Sequence, residues 1–490
     1  MPPKKVVIVG AGIAGIAAAI RMAVKGFAVD VYEANATPGG KLAQLNAHGF
    51  RFDAGPSLFT MPQYVDELFA VAGKNPRDHF NYLKPDAVCR YFYEDGTQLT
   101  APADIRKFAR EIAHKTAEET GTVLRHMAYS ADIYQITHKV FLEQSLHRLK
   151  TWLNLSTLRS MLRLPKIDAL RSMHSANKSF FKDKRVVQLF DRYATYNGSS
   201  PYLAPATLNV IPHLEQHFGA YFPVDGMYSI VTALVKLAEE LGVKFHCNSP
   251  VQEIIVDEHK AKGIKLKDGF MDADVVISNM DVWFTYKKLL SAYPKLQPTK
   301  TLNQERSSSA LVFYWGIKKQ FAQLDLHNIF FSADYKAEFD TLWKEKSIYN
   351  DPTVYINISS KYKPNDAPDG CENWFVMINA PANCGQDWDS LIANAKADIL
   401  RKLSRILGED ISQLIVYESM LDPRSIESKT SSYQGSIYGT SSNNQFAAFL
   451  RHANRLSKIK NLYFCGGSVH PGGGIPLCLL SARIVSDWIV

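Results

Sequence analysis

The start of the chain has the hydrophobic pattern of a strand, a turn and a helix. Residues 5–9 form a short β-branched apolar run, which is typical of a buried parallel strand, and residues 16–25 have helical periodicity. A glycine-rich turn lies between them, and a second apolar run at residues 27–32 predicts another strand that ends at Glu33. The pattern predicts an α/β unit at the N-terminus.

The pattern of the remaining chain divides it into interleaved segments. We predict α/β alternation for residues 1–85, 216–304 and 431–490, helices for residues 86–215, and strands alternating with helices for residues 305–430. The strands and helices that support this division are predicted at residues 229–241, 244–247, 251–256, 273–279, 310–316, 354–359, 374–380 and 461–465, with a last helix opening near Gly474. We therefore expect one discontinuous dinucleotide-binding domain, with the other two segments forming a substrate domain.

The composition is that of a large globular protein. The chain has 490 residues, 46% hydrophobic and 21% charged, and roughly 150 residues per domain suggests about three structural units. These values exclude disordered, collagen-like and disulfide-rich classes, and the absence of a repeat period excludes solenoids and propellers. The six cysteines form no C-x-x-C pair and no metal-ligand pattern, so we expect reduced core thiols and no metal site.

The positive charge is concentrated in one segment. The formal net charge of the chain is +8, and residues 146–185 alone contain ten Lys or Arg against two Asp. This basic patch accounts for the whole excess. A nucleic-acid-binding protein usually carries a broader basic surface, so we expect no nucleic acid partner.

The N-terminus imitates a signal peptide, because Lys4 and Lys5 precede an uncharged run at residues 6–20. The glycine turn explains this run better, and the run is shorter than the roughly 20 apolar residues of a membrane helix. We expect a cytoplasmic protein that associates peripherally with a membrane.

The glycine spacing of the first turn is typical of dinucleotide binding. Gly10 permits a tight turn, Gly12 lets backbone amides approach a pyrophosphate, and Gly15 lets the helix pack closely on the strand. The carboxylate of Glu33 suits the ribose hydroxyls. A glycine turn without a ligand is the alternative, but strand, turn, helix and terminal acid together favour a dinucleotide.

Further segments favour FAD over NAD and resemble a known family. Pro38-Gly-Gly-Lys41 resembles the extended fingerprint of the two-dinucleotide-binding-domain flavoproteins, and Asp53-Ala-Gly-Pro-Ser57 resembles a segment that passes the flavin in amine oxidases and carotenoid desaturases. Segments 197–205, 211–215, 221–227 and 465–476 extend the resemblance to the bacterial-type carotenoid (phytoene) desaturases from end to end. The last of them, Gly-Gly-Ser-Val-His-Pro-Gly-Gly-Gly-Ile-Pro, is most similar to the hydroxycarotenoid 3,4-desaturase (hydroxyneurosporene desaturase) branch.

The resemblance implies an α/β, FAD-binding Rossmann-like fold with an interleaved α+β substrate domain and a helical, membrane-facing subdomain. It implies an FAD-dependent desaturase that introduces a C=C bond at C3–C4 of an acyclic, 1-hydroxylated carotenoid by hydride transfer to the flavin, which a quinone or oxygen then reoxidises. The cofactor-binding residues that it implies are Gly10, Gly12, Ile13, Ala14, Gly15, Glu33, Gly40, Lys41, Pro56, Ser57, Val251, Asn279, Gly467, Ser468, Ile475 and Pro476. No residue in the sequence is indicated as a catalytic acid or base.

The chain departs from the family pattern at two positions. Asp225 stands where the family commonly has glycine, so its side chain has to be accommodated. Ser468 stands where many amine oxidases carry an acid, so ribityl contacts would come from amides and a hydroxyl. His470, between Val and Pro in a glycine-rich turn, is more typical of a backbone-capping residue than of a catalytic one.

Three other functions share part of these features. A phytoene desaturase of the same family differs only in substrate. A flavin amine oxidase shares the N-terminal motifs but explains the C-terminal glycine turn poorly. A non-enzymatic prenyl-lipid escort protein would have lost the flavin, which the intact Gly40-Lys41 pair and the C-terminal turn argue against.

The basic patch generates a first prediction. Apolar residues of segment 149–162 recur at near-helical spacing among cations, the pattern of an interfacial helix, although the apolar side of such a helix can also pack on the protein core. If the helix binds lipid, changing Arg159, Arg163 and Lys166 together to Gln weakens binding to anionic liposomes by about 3 kcal/mol, since each cation contributes roughly 1 kcal/mol. Co-sedimentation at low and high salt measures this. Equal sedimentation of variant and parent, with no release by salt, contradicts it.

Overall fold

The computed structural model describes residues 3–152 and 163–490. Its strands are β1 Lys5–Val9, β2 Ala28–Tyr32, β3 Gln44–Ala47, β4 Phe50–Asp53, β5 Phe59–Thr60, β6 Tyr82–Leu83, β7 Ala87–Phe92, β8 Gln98–Pro102, β9 Ala220–Pro223, β10 Lys244–His246, β11 Glu253–Asp257, β12 Lys260–Leu266, β13 Gly269–Asp272, β14 Val275–Ser278, β15 Ser309–Ile317, β16 His327–Phe330, β17 Val354–Asn357, β18 Glu372–Ala380, β19 Ile415–Leu421 and β20 Leu462–Phe464.

Its α-helices in the same parts of the chain are α1 Ile13–Val24, α2 Gln63–Val71, α3 Ile105–Lys115, α4 Thr120–Thr137, α5 Leu149–Trp152, α6 Met173–Phe180, α7 Lys184–Asp191, α8 Val210–His213, α9 Ser229–Glu240, α10 Val282–Phe284, α11 Thr299–Leu302, α12 Tyr335–Asp340, α13 Trp388–Leu407, α14 Pro423–Thr430, α15 Ala447–Leu450 and α16 Ile475–Ser486. Within the described ranges, no helix combines the length and the apolar character that crossing a membrane requires.

A five-stranded parallel sheet organises the first layer. Its strand order is β10-β2-β1-β14-β20, so β1 lies at the centre, and Val6, Val7 and Ile8 on it are fully buried. One face packs against α1, α9 and α16, and the other packs against the region around β11 and β12. Burial on both faces explains the continuous apolar runs that predict these strands.

A seven-stranded sheet forms the second layer, in the order β19-β15-β18-β17-β16-β7-β8. Alternate residues of β15 face opposite sides. Phe313 and Trp315 pack in the core that α13 completes, whereas Val312 and Tyr314 lie on the opposite face and line a large cavity. The strand is apolar on both faces because one is covered by a helix and the other encloses the cavity.

The expectation that residues 86–215 are mainly helical needs a correction at its start. β7 and β8 form a hairpin that joins the seven-stranded sheet, with β7 parallel to β16. The local signal for this hairpin is Asp95-Gly96 between two alternating runs, with Gly96 at φ +84°. The rest of the described segment is largely helical.

The expectation for the cysteines is also partly wrong. All six are free, but only Cys89 and Cys465 are buried, and Cys384 is exposed.

Asp225, which stands where the family commonly has glycine, is accommodated because its side chain points into solvent-exposed space. Asp225 is exposed, while the next residue, Gly226, has φ +84° and lies against the guanidinium of Arg51. Arg51 binds Asp53 at 2.7 Å and Asp366 at 3.0 Å, and Asp53 accepts hydrogen bonds from two backbone amides at the start of α9. The turn therefore requires glycine at position 226, which this chain retains, and not at position 225.

Gly226 and Gly242 form a matched pair for a second prediction. Both have φ +84°, but a Cβ on Gly226 would lie 2.5 Å from Arg51 Nη1, and one on Gly242 would meet nothing within 4 Å. Gly242→Ala should lower the free energy of unfolding by about 1 kcal/mol through backbone strain alone. Gly226→Ala should cost at least ~2 kcal/mol more, because it also displaces Arg51 from two buried carboxylates. Urea unfolding followed by circular dichroism measures both, and equal losses contradict a steric role for Arg51.

Candidate functional site

The main cavity lies between the two large sheets and has a volume of about 1370 Å³. Of the sixteen residues that the sequence proposes for cofactor binding, fifteen line it, and only Gly15 does not. A Cβ on Gly15 would lie 2.2 Å from the carbonyl oxygen of Gly10, so Gly15 serves close packing behind the turn. The structure therefore brings segments from both ends and the middle of the chain to one cavity.

The N-terminal glycine turn opens the start of α1 to the main cavity. Gly10 has φ +93° and its amide donates to the carbonyl of Tyr32 at 2.8 Å. Gly12 precedes the helix without a side-chain cap, and a Cβ there would lie 2.7 Å from Asn279 Oδ1. The first amides of α1, including those of Ile13 and Ala14, are left without intrahelical acceptors. This is a ready site for a phosphate.

Glu33 lies directly after β2 and is buried at the rim of the turn. Its Oε2 accepts from the amide of Ala11 at 2.8 Å, and its Oε1 accepts from the amide and the side chain of Asn35 at 2.9 and 2.8 Å. These bonds orient the carboxylate, and each oxygen keeps further acceptor capacity. Val251, half-buried before β11, lines the same region. The arrangement fits a ribose.

Lys41 follows Gly40 and is half-buried. Its Nζ donates to the carbonyls of Ser436 and Ile437, both at 3.1 Å. Burial lowers the pKa of Lys41, and the charge of Asp281 opposes this effect. Lys41 thus ties the N-terminal segment to the chain that passes over the cavity near Tyr438.

The C-terminal glycine turn supplies a second open helix start. α16 begins at Ile475 after Gly474, which has no side-chain cap, and Pro476 follows at its first turn. A Cβ on Gly473 would lie 2.8 Å from Tyr438 Cα, so these segments touch through backbone. Ser468 accepts from the amide of Val282 at 3.0 Å through its hydroxyl oxygen, and its proton remains available.

His470 is placed as the sequence indicates. Its Nε2 bonds the carbonyl of Gln144 at 2.8 Å, it is 1% exposed, and it does not line the main cavity. Burial lowers the pKa of His470 to about 4, so the ring is neutral at neutral pH. It holds the turn in place.

These features together fit FAD. The donor set consists of backbone amides at two helix starts, where a diphosphate and the electron-rich N1/O2 side of a flavin each find partial positive charge. Glu33 is available to the ribose, and the glycine contacts at Gly12 and Gly473 leave no side chain in the way. Pro56 and Ser57 line the cavity on the side of the seven-stranded sheet, where Ser57 shares a hydrogen bond of 2.8 Å with Tyr355.

The structure also reveals a buried polar cluster that the sequence reasoning missed. It consists of Arg192, Tyr196, Glu215, His327 and Tyr355, all of which line the main cavity. Arg192 donates to Glu215 at 2.8 Å, and the Tyr196 hydroxyl also donates to Glu215. His327 Nδ1 and the Tyr355 hydroxyl lie 2.7 Å apart. Only Glu215 carried a signal in the sequence, as the last residue of segment 211–215.

The cluster holds a charged pair and a neutral imidazole. Burial by itself would raise the pKa of Glu215, but Arg192 and the tyrosine hydroxyls bring it below its usual value. Burial lowers the pKa of His327 to about 4. His327 Nε2 is buried and has no hydrogen-bond partner among the residues that the structure describes. Elsewhere the cavity is lined by apolar side chains such as Ile329 and Phe375. This nitrogen is therefore a polar atom whose hydrogen-bonding capacity is unused in apolar surroundings.

Comparison with known proteins identifies relatives along the whole chain. A family model described as flavin containing amine oxidoreductase matches residues 13–490. The chain is 51% identical to the 1-hydroxycarotenoid 3,4-desaturase of a Flavobacterium species, over 99% of both chains. It is 35% identical to the 4,4'-diapolycopene oxygenase of a Methylomonas species, over 99% of this chain and 98% of that one. An oxidoreductase structure from Methanosarcina mazei has the same fold, with a TM-score of 0.64 at 16% identity, over 99% of this chain and all of that one. The cofactor of the chain is therefore FAD.

A third prediction concerns Glu33. Glu33→Arg should abolish retention of FAD, because it places a cation where ribose hydroxyls need an acceptor. Glu33→Gln keeps the shape and one acceptor oxygen, so it should weaken retention by about tenfold (~1.4 kcal/mol) or less. The ratio of flavin to protein absorbance after gel filtration measures both. Stoichiometric flavin in the Arg variant contradicts the assignment.

Proposed function

Because the chain belongs to the flavin containing amine oxidoreductases and, within them, to the carotenoid desaturases, we propose that it desaturates the C3–C4 bond of an acyclic carotenoid that carries a hydroxyl on C1. The relative at 51% identity is named for this reaction. The observation that carries the finer substrate assignment is the buried polar cluster in an otherwise largely apolar cavity.

The unmatched nitrogen of His327 complements a hydroxyl. A neutral imidazole has one donor and one acceptor nitrogen, and Nδ1 is already engaged with Tyr355, so Nε2 can donate to or accept from a hydroxyl group. A hydrocarbon end leaves Nε2 unpaired, at a cost of roughly 1–3 kcal/mol. A site built in this way discriminates against the substrate that lacks the hydroxyl.

The other members of the cluster hold His327 and its surroundings in place. Arg192 and Glu215 compensate each other's charge, and Tyr355 connects His327 to Ser57 beside the flavin side of the cavity. Bound FAD supplies the hydride acceptor for the C–H bond that is oxidised. The apolar wall, with residues such as Val312, Phe375 and Met377, excludes water and aligns the polyene.

We propose in addition that the protein docks on a lipid surface and that a quinone or oxygen reoxidises the flavin. A long-chain hydrocarbon passes poorly through water, so the entrance of the cavity should face a bilayer. Leu170, Phe446 and Phe449 line the cavity and are nevertheless 88%, 56% and 42% exposed, which supports such an entrance. Most of the interfacial helix that the sequence predicts at 149–162 lies outside the described residues; Leu149–Trp152 is helical.

Substrate identity is tested by pigment analysis of cells that accumulate either a 1-hydroxylated acyclic carotenoid or phytoene. We expect faster conversion of the hydroxylated carotenoid, to a product with one more double bond at C3–C4. Equal or better conversion of phytoene would assign the chain to the phytoene desaturase branch, and insertion of oxygen would assign it to the oxygenases.

A fourth prediction isolates the role of His327 Nε2. His327→Gln offers a polar group near the Nε2 position, whereas His327→Asn offers one near Nδ1 only. We expect the Asn variant to lose about tenfold (~1.4 kcal/mol) of the preference for the hydroxylated substrate, and the Gln variant to keep most of it. Met377→Leu, an apolar change in the same cavity, should leave the preference unchanged. If both His327 variants slow the two substrates equally, the histidine does not recognise the hydroxyl.

A further inference from the structure

A second cavity of about 380 Å³ lies outside the main cavity and shares no lining residue with it. Its wall comes from the chain before β15, from the residues after α12, and from Tyr433 and its neighbours. Asn303, Glu305 and Cys384 on its wall are exposed, so the cavity opens to solvent. The proposed desaturation uses none of these residues.

Arg306 is the chemically unusual member of this wall. Its side chain is 2% exposed, and Nε, Nη1 and Nη2 all lack a hydrogen-bond partner within residues 3–152 and 163–490. The nearest carboxylate, Asp281, is 3.7 Å away, which is too far for a hydrogen bond. The guanidinium lies 4.9 Å from the ring centre of Tyr433, a favourable contact that leaves its N–H groups unused. A buried guanidinium with no acceptor is costly, and so indicates a missing partner.

Trp343 adds a second unused donor to the same cavity. Its indole Nε1 is buried and has no hydrogen-bond partner in the described part of the chain. Lys346 lies 5.3 Å from the Trp343 ring and forms only a long ion pair of 3.8 Å with Glu305. The unsatisfied buried groups of this cavity, Arg306 and Trp343, are therefore all donors, so its ligand must present acceptor oxygens.

The charges and the walls narrow the class of ligand. Arg306 and Lys346 contribute two positive charges to the wall. Asp281 lies 3.7 Å from Arg306 and Glu305 lies 3.8 Å from Lys346, so the balance is close to neutral and suits a monoanion better than a dianion. A planar guanidinium pairs best with a carboxylate when both present two atoms. The stacked rings of Trp283 and Tyr433, with centres 3.8 Å apart, and the Trp343 ring offer flat apolar surface. We propose that this cavity is a binding site for a small carboxylate with a flat or apolar body.

The test uses the full-length, FAD-loaded protein and measures binding by calorimetry with benzoate, its neutral amide benzamide, and inorganic phosphate. We expect benzoate to bind with one site per chain, benzamide at least about tenfold more weakly because it lacks the charge, and phosphate more weakly than benzoate. No benzoate binding at millimolar concentration would overturn the proposal, and tighter binding of phosphate would overturn the carboxylate assignment.

Two variants test whether benzoate binds through the Arg306 guanidinium and the Trp343 indole N–H. Trp343→Phe removes the indole N–H and one of the two fused rings. Since that N–H has no partner among the described residues, the variant should fold normally and bind benzoate about fivefold more weakly. Arg306→Lys keeps the charge but loses the planar fork, and should weaken binding by about tenfold or more. Trp488→Phe, outside the cavity, should bind like the parent. Unchanged affinity in Trp343→Phe and Arg306→Lys would overturn the proposal, and the Trp343 result stands alone if the Arg306 variant does not fold.

Discussion

The close approach of other segments to the glycine turns is the constraint on which the rest of the structure depends. A Cβ on Gly12 would lie 2.7 Å from Asn279 Oδ1, and one on Gly40 would lie 3.3 Å from Gly12 Cα. The start of α1 can therefore approach both the turn after β2 and the Asn279 side chain after β14 only because Gly12 and Gly40 carry no side chain. The consequence is a helix start whose amides open onto the main cavity, where a charged diphosphate can be held without a cationic side chain. The C-terminal turn has a similar close contact, because a Cβ on Gly473 would lie 2.8 Å from Tyr438 Cα.

The same cavity combines this polar end with walls suited to a hydrocarbon. The seven-stranded sheet makes this possible, because β15 sends alternate side chains into the α13 core and into the cavity. Buried charges on this side are paired, as in Arg192 with Glu215 and Arg51 with Asp366. Pairing keeps the desolvation cost of these charges low enough to be tolerated. Arg306 differs, because Asp281 lies 3.7 Å away and the guanidinium N–H groups have no hydrogen-bond acceptor among the described residues. This distinguishes the second cavity.

Much of the nucleotide half could be predicted because its signals are local. The turn at Gly10 to Gly15, the acid at Glu33 and the apolar runs of β1 and β14 each reveal their structure within a few residues, since burial on both faces and positive φ values leave direct traces in residue type. The substrate half was predicted less well. The β7–β8 hairpin was assigned to a helical segment although Asp95-Gly96 marks its turn, and its pairing with β16 could not be predicted because that strand lies far along the chain.

The sequence by itself determined the strand-turn-helix unit, the glycines that this unit requires, and the flavoprotein family to which they belong. These properties depend on short-range sterics and on the period of burial, which a linear pattern records. Only the tertiary structure decided that His327 and Glu215 meet in one largely apolar cavity, and that Arg306 and Trp343 share a second cavity in which neither side chain has a hydrogen-bond acceptor among the described residues. Whether a buried polar group is satisfied depends on which distant segments surround it, and that is a property of the folded chain alone.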